Sequence, residues 1–355
     1  MTSPAAEMLA ARGQWFAAPG PLGEAILSTR VRLARNVRGL RFPPRALPEE
    51  LEGVLHRVEA AAGQVPMLRG GRFLAMERLS ALERQFLLER HLASHDLASD
   101  GARRGLCCSA DESAALLVNE EDHLRIQALR AGFQLDACFA AATALEDQLE
   151  SHLEYAFADD FGYLTACPTN VGTGLRASVL IHLPALVLTR RIKKVLSGVA
   201  QVGLAVRGFY GEGTDVLGHF FQISNQITLG EKEAQTLLNL ERVVHQLLEQ
   251  EARAREVLLK DAGDQIEDKV RRAHGTLTQA HLLSAEEAIG LASALRLGLT
   301  LELEGLPSVS AINDILLHAQ PAHLQLRVGQ VMDAPARQRA RARLVRERLG
   351  QSRAA

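Results

Sequence analysis

The chain has 355 residues, enough for one large domain and a smaller one. Apolar residues make up 47% and charged residues 23%, which excludes a disordered or fibrous protein. The formal net charge of −2 provides no overall field that would attract nucleic acid or an anionic membrane, so neither is expected as a partner.

The N-terminal segment and the cysteines bear on the compartment. The chain starts MTSPAAEMLAARGQWF, without a basic stretch followed by an apolar run, and no segment approaches the roughly 18 apolar residues of a membrane span. We expect a cytoplasmic protein. The four cysteines do not form a disulfide framework, and Cys107, Cys108 and Cys138 are expected to be buried thiols.

Residues from about 24 to 225 alternate short apolar runs with turn signals. Several runs have the length and β-branched content of strands, among them AILSTRVRLARNV, ASVLIHLPALVL and HFFQISNQITLG. Helical stretches such as ALPEELEGVLHRVEAAAG lie between them. This mixture predicts an α+β catalytic domain with a mainly antiparallel sheet flanked by helices.

The sequence pattern changes after Thr228 from strand-like runs to helical periodicity. Thr228 with Glu231, and later Ser284 with Glu287, have the spacing of capping boxes at helix N-termini. The segments that follow show helical periodicity with few strand formers. We therefore predict a catalytic domain over residues 1–250 and an all-helical C-terminal domain over residues 251–355.

Two polar clusters follow strand-like runs in the first half. In the segment STRVR, alternation along a strand places Arg30 and Arg32 on one face, although an exposed sheet edge would look the same. The segment NEEDHLR, residues 119–125, concentrates acidic and basic groups after the run AALLV. Taken alone, it is also typical of a solvated turn.

Two further clusters are rich in glycine. Residues 167–176, CPTNVGTGLR, could let backbone amides approach an anion, but a glycine-rich loop is a weak signal by itself. Residues 207–214, RGFYGEGT, suggest a mobile loop or a simple hairpin turn around Glu212. Each cluster alone could be a structural feature without a function. For the four together, five arginines and two glutamates would have to be incidental, which favours a shared functional site.

The four clusters point to one class of kinase. The sequence GxxxxGK[ST] of a P-loop is missing, and the combined set of HRD and DFG motifs that marks protein kinases does not appear. Instead, STRVRLAR, NEEDHLRI, CPTNVGTGLRAS and RGFYGEG, in this order, resemble the ATP:guanido phosphotransferase family of arginine and creatine kinases. The resemblance spans about residues 24 to 230.

The resemblance implies an ATP site. It assigns nucleotide binding to six residues: Ser28, Arg30, Arg32, Arg125, Arg176 and Arg207. Guanidinium groups suit this role, because a triphosphate needs dispersed positive charge and bidentate donors. Mg²⁺ should arrive with ATP, held mainly by phosphates and water, without a metal site of the protein's own.

The same resemblance implies how the acceptor is handled. A guanidinium is a cation at neutral pH and a poor nucleophile. Glu121 and Glu212 match the family's two substrate carboxylates, and Cys167 matches its reactive cysteine, although Cys167 could also be a small buried residue. Leu180 replaces a histidine that free-guanidino kinases place near the nucleotide base.

The helical tail favours protein-bound arginine as the acceptor. RAHGTLTQAHLLSAEEA, INDILLHAQPAHLQ and VRERLG resemble the bacterial protein arginine kinases. STRVR begins at residue 28, which leaves no room for the N-terminal domain of free-guanidino kinases. The resemblance implies protein substrates that include a stress-gene repressor, a ClpC-ClpP-type protease pathway, a zinc-binding activator protein and a homodimer. The alternatives are a free arginine kinase and a phosphoarginine-binding adaptor.

A regulatory site is implied in the tail. Such kinases bind phosphoarginine through an Arg-Asp-x-x-Arg-Ala motif, and the matching stretch begins with Arg337, Gln338 and ends with Arg341 and Ala342. Two arginines four residues apart share a helical face and suit a phosphate. Gln338 replaces the expected Asp, so a solvated Arg-rich helix face is the competing interpretation.

Overall fold

A computed structural model describes residues 4–10, 13–17, 19–99, 102–208 and 217–351. Within these ranges the strands are β1 (Ile26–Arg35), β2 (Arg72–Ala75), β3 (Gly105–Cys108), β4 (Ala114–Val118), β5 (Leu124–Ala131), β6 (Phe157–Ala158), β7 (Gly162–Tyr163), β8 (Leu175–His182), β9 (Leu204–Arg207) and β10 (Phe220–Asn225). The helices are α1 (Pro4–Ala10), α2 (Gln14–Ala17), α3 (Pro48–Gln64), α4 (Ala81–Glu89), α5 (His95–Ser99), α6 (Leu135–Glu150), α7 (Pro184–Leu188), α8 (Ile192–Gln201), α9 (Glu233–Gln279), α10 (Ala285–Thr300), α11 (Val309–His318), α12 (Pro321–Val328) and α13 (Ala334–Gln351).

The centre of the fold is one antiparallel sheet. Within the described residues it has eight strands in the order β2-β3-β4-β5-β1-β8-β10-β9, and each neighbouring pair is antiparallel. The strands β6 and β7 form a separate small hairpin. The predicted α+β class with a mainly antiparallel sheet is confirmed.

The two faces of the sheet differ in chemistry. Residues such as Val31, Leu33 and Val179 point to one face and pack in a large core with α3, α6, α7 and α9. Arg30 and Arg32 of β1 point to the opposite face, because side chains alternate along a strand. That face is polar at these positions. The sheet can therefore place several arginines side by side without disturbing its core.

The C-terminal part is helical, as predicted. It begins in α9, a 47-residue helix with a break at Ala262, where φ is −149° and ψ is 31°. The capping box of Ser284 and Glu287 opens α10, as predicted. The separate domain limits at residues 250 and 251 stay a prediction, since α9 passes through both.

The predicted capping box at Thr228 and Glu231 is wrong. The helix α9 starts later, with Lys232 as its N-cap residue. The Thr228 hydroxyl lies 2.8 Å from the carbonyl oxygen of Thr169 and 2.7 Å from that of Val171. Tertiary hydrogen bonds thus outcompete the local cap.

The helical part covers one end of the polar sheet face. Leu129 and Leu180 lie on that face and share a core with Phe220, with Ile289 of α10 and with Ile312 of α11. Elsewhere on the face the arginine side chains are only partly buried. None of the helices in the described ranges is both long and apolar enough to cross a membrane.

The cysteines follow the sequence prediction. Cys107, Cys108 and Cys138 are buried and free of disulfides. Burial raises the pKa of the Cys107 thiol to about 11 and those of Cys108 and Cys138 to about 12. These thiols are protonated at neutral pH and behave as small hydrophobic side chains.

Candidate active site

Three arginines share the centre of the polar sheet face. Arg32 of β1 stands directly opposite Arg176 of β8, and Arg30 stands opposite Ser178. Residues opposite each other in antiparallel strands project to the same face, so Arg30, Arg32 and Arg176 belong to one surface. Arg30 donates from Nη2 to Gln222 Oε1 at 3.2 Å.

Two more arginines extend this surface in both directions. Arg125 of β5 stands opposite Ala34, which lies on the same face of β1 as Arg32. Arg207 of β9 stands opposite Gln222 of β10, and Gln222 in turn stands opposite Leu180. The five arginines that the sequence assigned to ATP thus lie on one sheet face, which we call the arginine face.

Two cations of the arginine face, Arg30 and Arg32, are partly buried beside like charges. Burial lowers the pKa of Arg30 to about 10, helped by the positive charges of Arg125 and Arg176. The pKa of Arg32 falls well below its usual value, first through burial and then through Arg30 and Arg125. Within the described residues Arg32 Nε is buried without a hydrogen-bond partner. Mutually repelling, half-desolvated cations of this kind favour a polyanionic ligand.

A small cavity extends the arginine face toward the helical part. Ser28, Arg30, Leu180 and Gln222 line it together with His91. Burial lowers the pKa of His91 to about 3, with the Arg30 charge as a second cause, so its ring is neutral. Sequence reasoning missed His91, because a lone histidine in the helical run LERHLAS carries no signal; only the packing brings it beside Ser28.

The carboxylates of the β4–β5 turn differ in accessibility. Glu120 is almost completely buried, and its Oε1 lies 2.5 Å from Arg125 Nη1. Glu121 has 36% of its side chain exposed, and its Oε2 lies 3.1 Å from Arg125 Nη2. Glu120 is therefore the anchor of Arg125, while Glu121 stays accessible to solvent.

Asp122 joins this turn to the loop that carries Cys167. One oxygen of Asp122 accepts a hydrogen bond from Asn36 Nδ2 at 2.6 Å and another from the backbone N–H of Ala166 at 2.7 Å. Burial raises the Asp122 pKa, and these two hydrogen bonds oppose that effect. Glu121 directly precedes Asp122, and Cys167 directly follows Ala166. The hydrogen bond between Asp122 and Ala166 therefore joins the turn of Glu121 to the loop of Cys167.

His123 fixes the other side of the turn. Its Nδ1 accepts a hydrogen bond from the backbone N–H of Val37 at 3.1 Å, so its Nε2, 3.1 Å from the Arg41 carbonyl oxygen, is the donor to that oxygen. Burial lowers the pKa of His123 to about 4. The ring is therefore neutral and serves to position the turn.

Cys167 is the N-cap residue of a short 3-10 helix, Pro168–Asn170, in the loop that precedes β8. Its side chain is half-buried, and its Sγ lies 3.0 Å from the Thr169 hydroxyl oxygen. The expectation of a small buried residue therefore does not hold for Cys167. The chain returns from this loop to the sheet at Leu175, one residue before Arg176.

Glu212, the second carboxylate assigned from the sequence, lies outside the described residues. Arg207 and Gly208 mark the point where the described chain enters that segment, next to Gln222 of the arginine face. The assignment of Glu212 stays a prediction.

The three residues of the expected phosphoarginine motif lie on α13. Arg341 is buried and donates from Nε to the Ala319 carbonyl at 2.6 Å and from Nη1 to the Leu283 carbonyl at 2.9 Å. Arg337 is half-buried and donates to the Met332 carbonyl at 2.6 Å. The Gln338 carbonyl accepts from the backbone N–H of Leu283. Arg341 thus also holds helices together.

The chain matches two family models. Residues 54–254 match the family model described as ATP:guanido phosphotransferase, C-terminal catalytic domain. Residues 263–355 match the model described as Protein-arginine kinase McsB C-terminal domain. The fold and the arginine face thus define a phosphotransferase of the guanidino-kinase class.

Relatives along the whole chain narrow the class. Two curated protein-arginine kinases are each 44% identical: that of Geobacillus stearothermophilus over 94% of this chain and 93% of the relative, and that of Moorella thermoacetica over 95% and 97%. The chain belongs to the protein-arginine kinase family.

Solved structures support the fold. The duplicated taurocyamine kinase from Schistosoma mansoni, with bound transition-state-analogue components, has a TM-score of 0.59 and 27% identity, covering 70% of this chain and 36% of that one. Lombricine kinase has a TM-score of 0.57 and 25% identity, covering 71% of both chains. Both are similar to this chain in their guanidino-kinase architecture.

Proposed function

We propose that this protein transfers the γ-phosphoryl group of ATP to the guanidinium group of arginine side chains in proteins. The observation that carries the proposal is the arginine face: five arginines on one sheet surface, with a reachable carboxylate, Glu121, at its edge. The 44% identity to protein-arginine kinases supports the choice of acceptor.

In this proposal the arginine face binds the triphosphate. Phosphoryl transfer passes through a loose transition state with charge spread over the phosphoryl oxygens, and fixed cations stabilise that charge without reorganisation. Arg30, Arg32, Arg125, Arg176 and Arg207 supply these cations. Ser28, which lines the small cavity beside Arg30, is proposed as a further contact to the nucleotide on the family resemblance.

Glu121 would orient and deprotonate the acceptor. A guanidinium nitrogen attacks the γ-phosphorus, the bond from that phosphorus to the β,γ-bridging oxygen breaks, and ADP leaves. The nitrogen loses a proton, which a positioned carboxylate can accept. Glu212 is proposed as the second carboxylate on the family resemblance, and Cys167 as an additional contact to the guanidinium.

Mg²⁺ would enter with the nucleotide. In the described part of the chain no group of three or more His, Cys, Asp or Glu side chains is arranged to hold a metal ion. The carboxylates nearest the arginine face, Glu120 and Glu121, already pair with Arg125. These residues fit an ion held by phosphate oxygens and water, which would neutralise part of the triphosphate charge.

Incubation of the protein with ATP, Mg²⁺ and an unfolded arginine-bearing protein is expected to produce phosphoarginine. Products should be analysed by mass spectrometry at neutral pH, because the P–N bond is labile in acid. The matched control is the same substrate with every arginine replaced by lysine. Phosphorylation of free arginine alone would exclude the protein-kinase proposal and favour a free-guanidino kinase, and ATP binding without turnover would favour an adaptor.

The cellular role is proposed from the family resemblance. We propose that the phosphoarginine mark directs proteins to a ClpC-ClpP-type protease and inactivates a stress-gene repressor, and thereby regulates the heat-shock response. A zinc-binding activator protein and a homodimer are proposed on the same basis. The domain of residues 251–355 would then carry the regulatory and dimerisation functions, next to a catalytic domain of residues 1–250.

We also propose phosphoarginine binding at Arg337, Gln338 and Arg341. Arg337→Ala is the informative variant, because Arg341→Ala would also remove two buried hydrogen bonds to helix carbonyls. Calorimetric titration with phosphoarginine should show an affinity lowered about 10-fold, the typical loss of one charge-assisted hydrogen bond. The exposed neighbour Arg339→Ala serves as the control, and equal affinities in both variants would refute the site.

A further inference from the structure

A groove lies beside the loop that carries Cys167. It has a volume of about 290 Å³, and its walls come from the hairpin of β6 and β7 and from the segment 228–233. The hairpin turn is closed by the backbone N–H of Phe161, which donates to the Ala158 carbonyl at 3.1 Å.

The rim of the groove is unusually apolar for an exposed surface. Phe157, Phe161 and Leu229 line it and are 44%, 55% and 52% exposed. Three large apolar side chains around one groove form a contiguous patch, which typically marks a site of contact with another chain. The Phe157 ring is braced by Tyr163, with ring centroids 5.2 Å apart.

The charges of the groove have one sign. Asp160, Glu231 and Glu233 line it, and among the residues that the structure describes no lysine or arginine does. The protein as a whole is nearly neutral, with 40 basic and 42 acidic residues, so this local excess is not a consequence of composition. The groove therefore complements a chain segment that is apolar and basic.

The groove is connected rigidly to the Cys167 loop. Tyr163 and Gly172 exchange two backbone hydrogen bonds of 2.8 and 3.2 Å, and the Thr228 hydroxyl contacts the Thr169 and Val171 carbonyls. Gly172 has a φ of +109°, and a Cβ there would lie 2.2 Å from the Thr228 carbonyl oxygen. The backbones are thus in direct contact, and only glycine fits between them.

We infer that this groove binds the residues of the protein substrate that flank the acceptor arginine. The inference rests on the proposed function. Gly172 follows Cys167 by five residues, so the groove lies within about 18 Å of Cys167. An extended polypeptide segment with its arginine at Cys167 reaches the groove with a flank of about five residues. Apolar and basic flanks fit, whereas acidic flanks are repelled.

Steady-state kinetics with synthetic peptides tests this inference. Two peptides differ only in their flanks, one with leucine and lysine and the other with aspartate around a single arginine. Phe161→Ser and Leu229→Ser are each expected to raise KM for the leucine-lysine peptide about 10-fold, with kcat changed less than about 2-fold. This follows from losing one large apolar contact. Asp160→Lys should reduce the difference in KM between the two peptides.

Val202→Ser is the matched control, since Val202 is 62% exposed and does not line the groove. A KM for the leucine-lysine peptide that stays unchanged in both groove variants would overturn the inference, and so would equal use of the two peptides by the unaltered protein. Circular dichroism melts identify a variant that fails to fold, and the second apolar variant then decides. If the unaltered protein phosphorylates neither peptide nor any protein, the proposed function itself fails.

Discussion

Arg32→Gln is expected to lower kcat/KM for ATP by about 10³-fold or more while it raises the stability of the nucleotide-free protein. The loss follows from removing a fixed cation from the position where phosphoryl charge develops in the transition state. Arg32 is surrounded by Arg30, Arg125 and Arg176, and burial adds to the cost of its charge. A neutral side chain removes both the repulsion and the desolvation.

Two measurements on the same variant check the Arg32 prediction. Phosphoryl transfer to an arginine-bearing protein gives the rate, and calorimetric melting without nucleotide should show a transition raised by about 2 °C or more. Arg253→Gln is the control, because Arg253 lies on the exposed face of α9 and has 66% of its side chain exposed. A normal rate, or a melting temperature lowered by several degrees, would show that Arg32 is a structural residue.

Glu121→Gln is expected to reduce kcat about 10²- to 10⁴-fold, the usual range for a positioned general base. Gln keeps the size of the side chain but cannot accept the proton of the attacking nitrogen. Because Glu120 still anchors Arg125, the KM for ATP should change less than about 3-fold. Glu212→Gln is expected to lower turnover in the same way, on the family resemblance.

The Glu120→Gln variant distinguishes the role of Glu120 from that of its neighbour Glu121. Glu120 is buried, and within the described residues its Oε2 has no hydrogen-bond partner, so its charge is balanced mainly by Arg125. Replacing it should disturb Arg125 and therefore raise the KM for ATP and lower stability. If Glu121→Gln retained near-normal turnover, or if both variants gave the same kinetic pattern, the assignment of Glu121 to the acceptor would be wrong.

The sequence determined the class of chemistry because it is encoded in short local segments. Arg30 and Arg32 share a face through the two-residue period of a strand, so their pairing needs no tertiary information. The segments around Arg125 and Arg176 were recognisable for the same reason: each is a compact motif. The helical C-terminal part followed from periodicity, and the Ser284 capping box from four consecutive residues.

Tertiary contacts decided what a local pattern could not. Thr228 has the spacing of a helix cap, but its hydroxyl contacts carbonyls about sixty residues earlier, because two tertiary acceptors outweigh one capping bond. His91 carries no motif and acquires its place beside Arg30 only through packing. Glu120 and Glu121 are identical in sequence terms, and burial alone makes one an anchor and the other accessible.

The arginine face shows most clearly which properties come from the sequence and which come from the tertiary structure. The sequence by itself indicated which arginines to expect at a triphosphate, because its short motifs resemble those of the guanido phosphotransferase family. Only the tertiary structure decided that they share one surface, because the strand order β5-β1-β8-β10-β9 brings together residues up to 177 positions apart, from Arg30 to Arg207. That arrangement also leaves Arg32 half-desolvated beside like charges, a property that arises from burial and distance and not from residue identity.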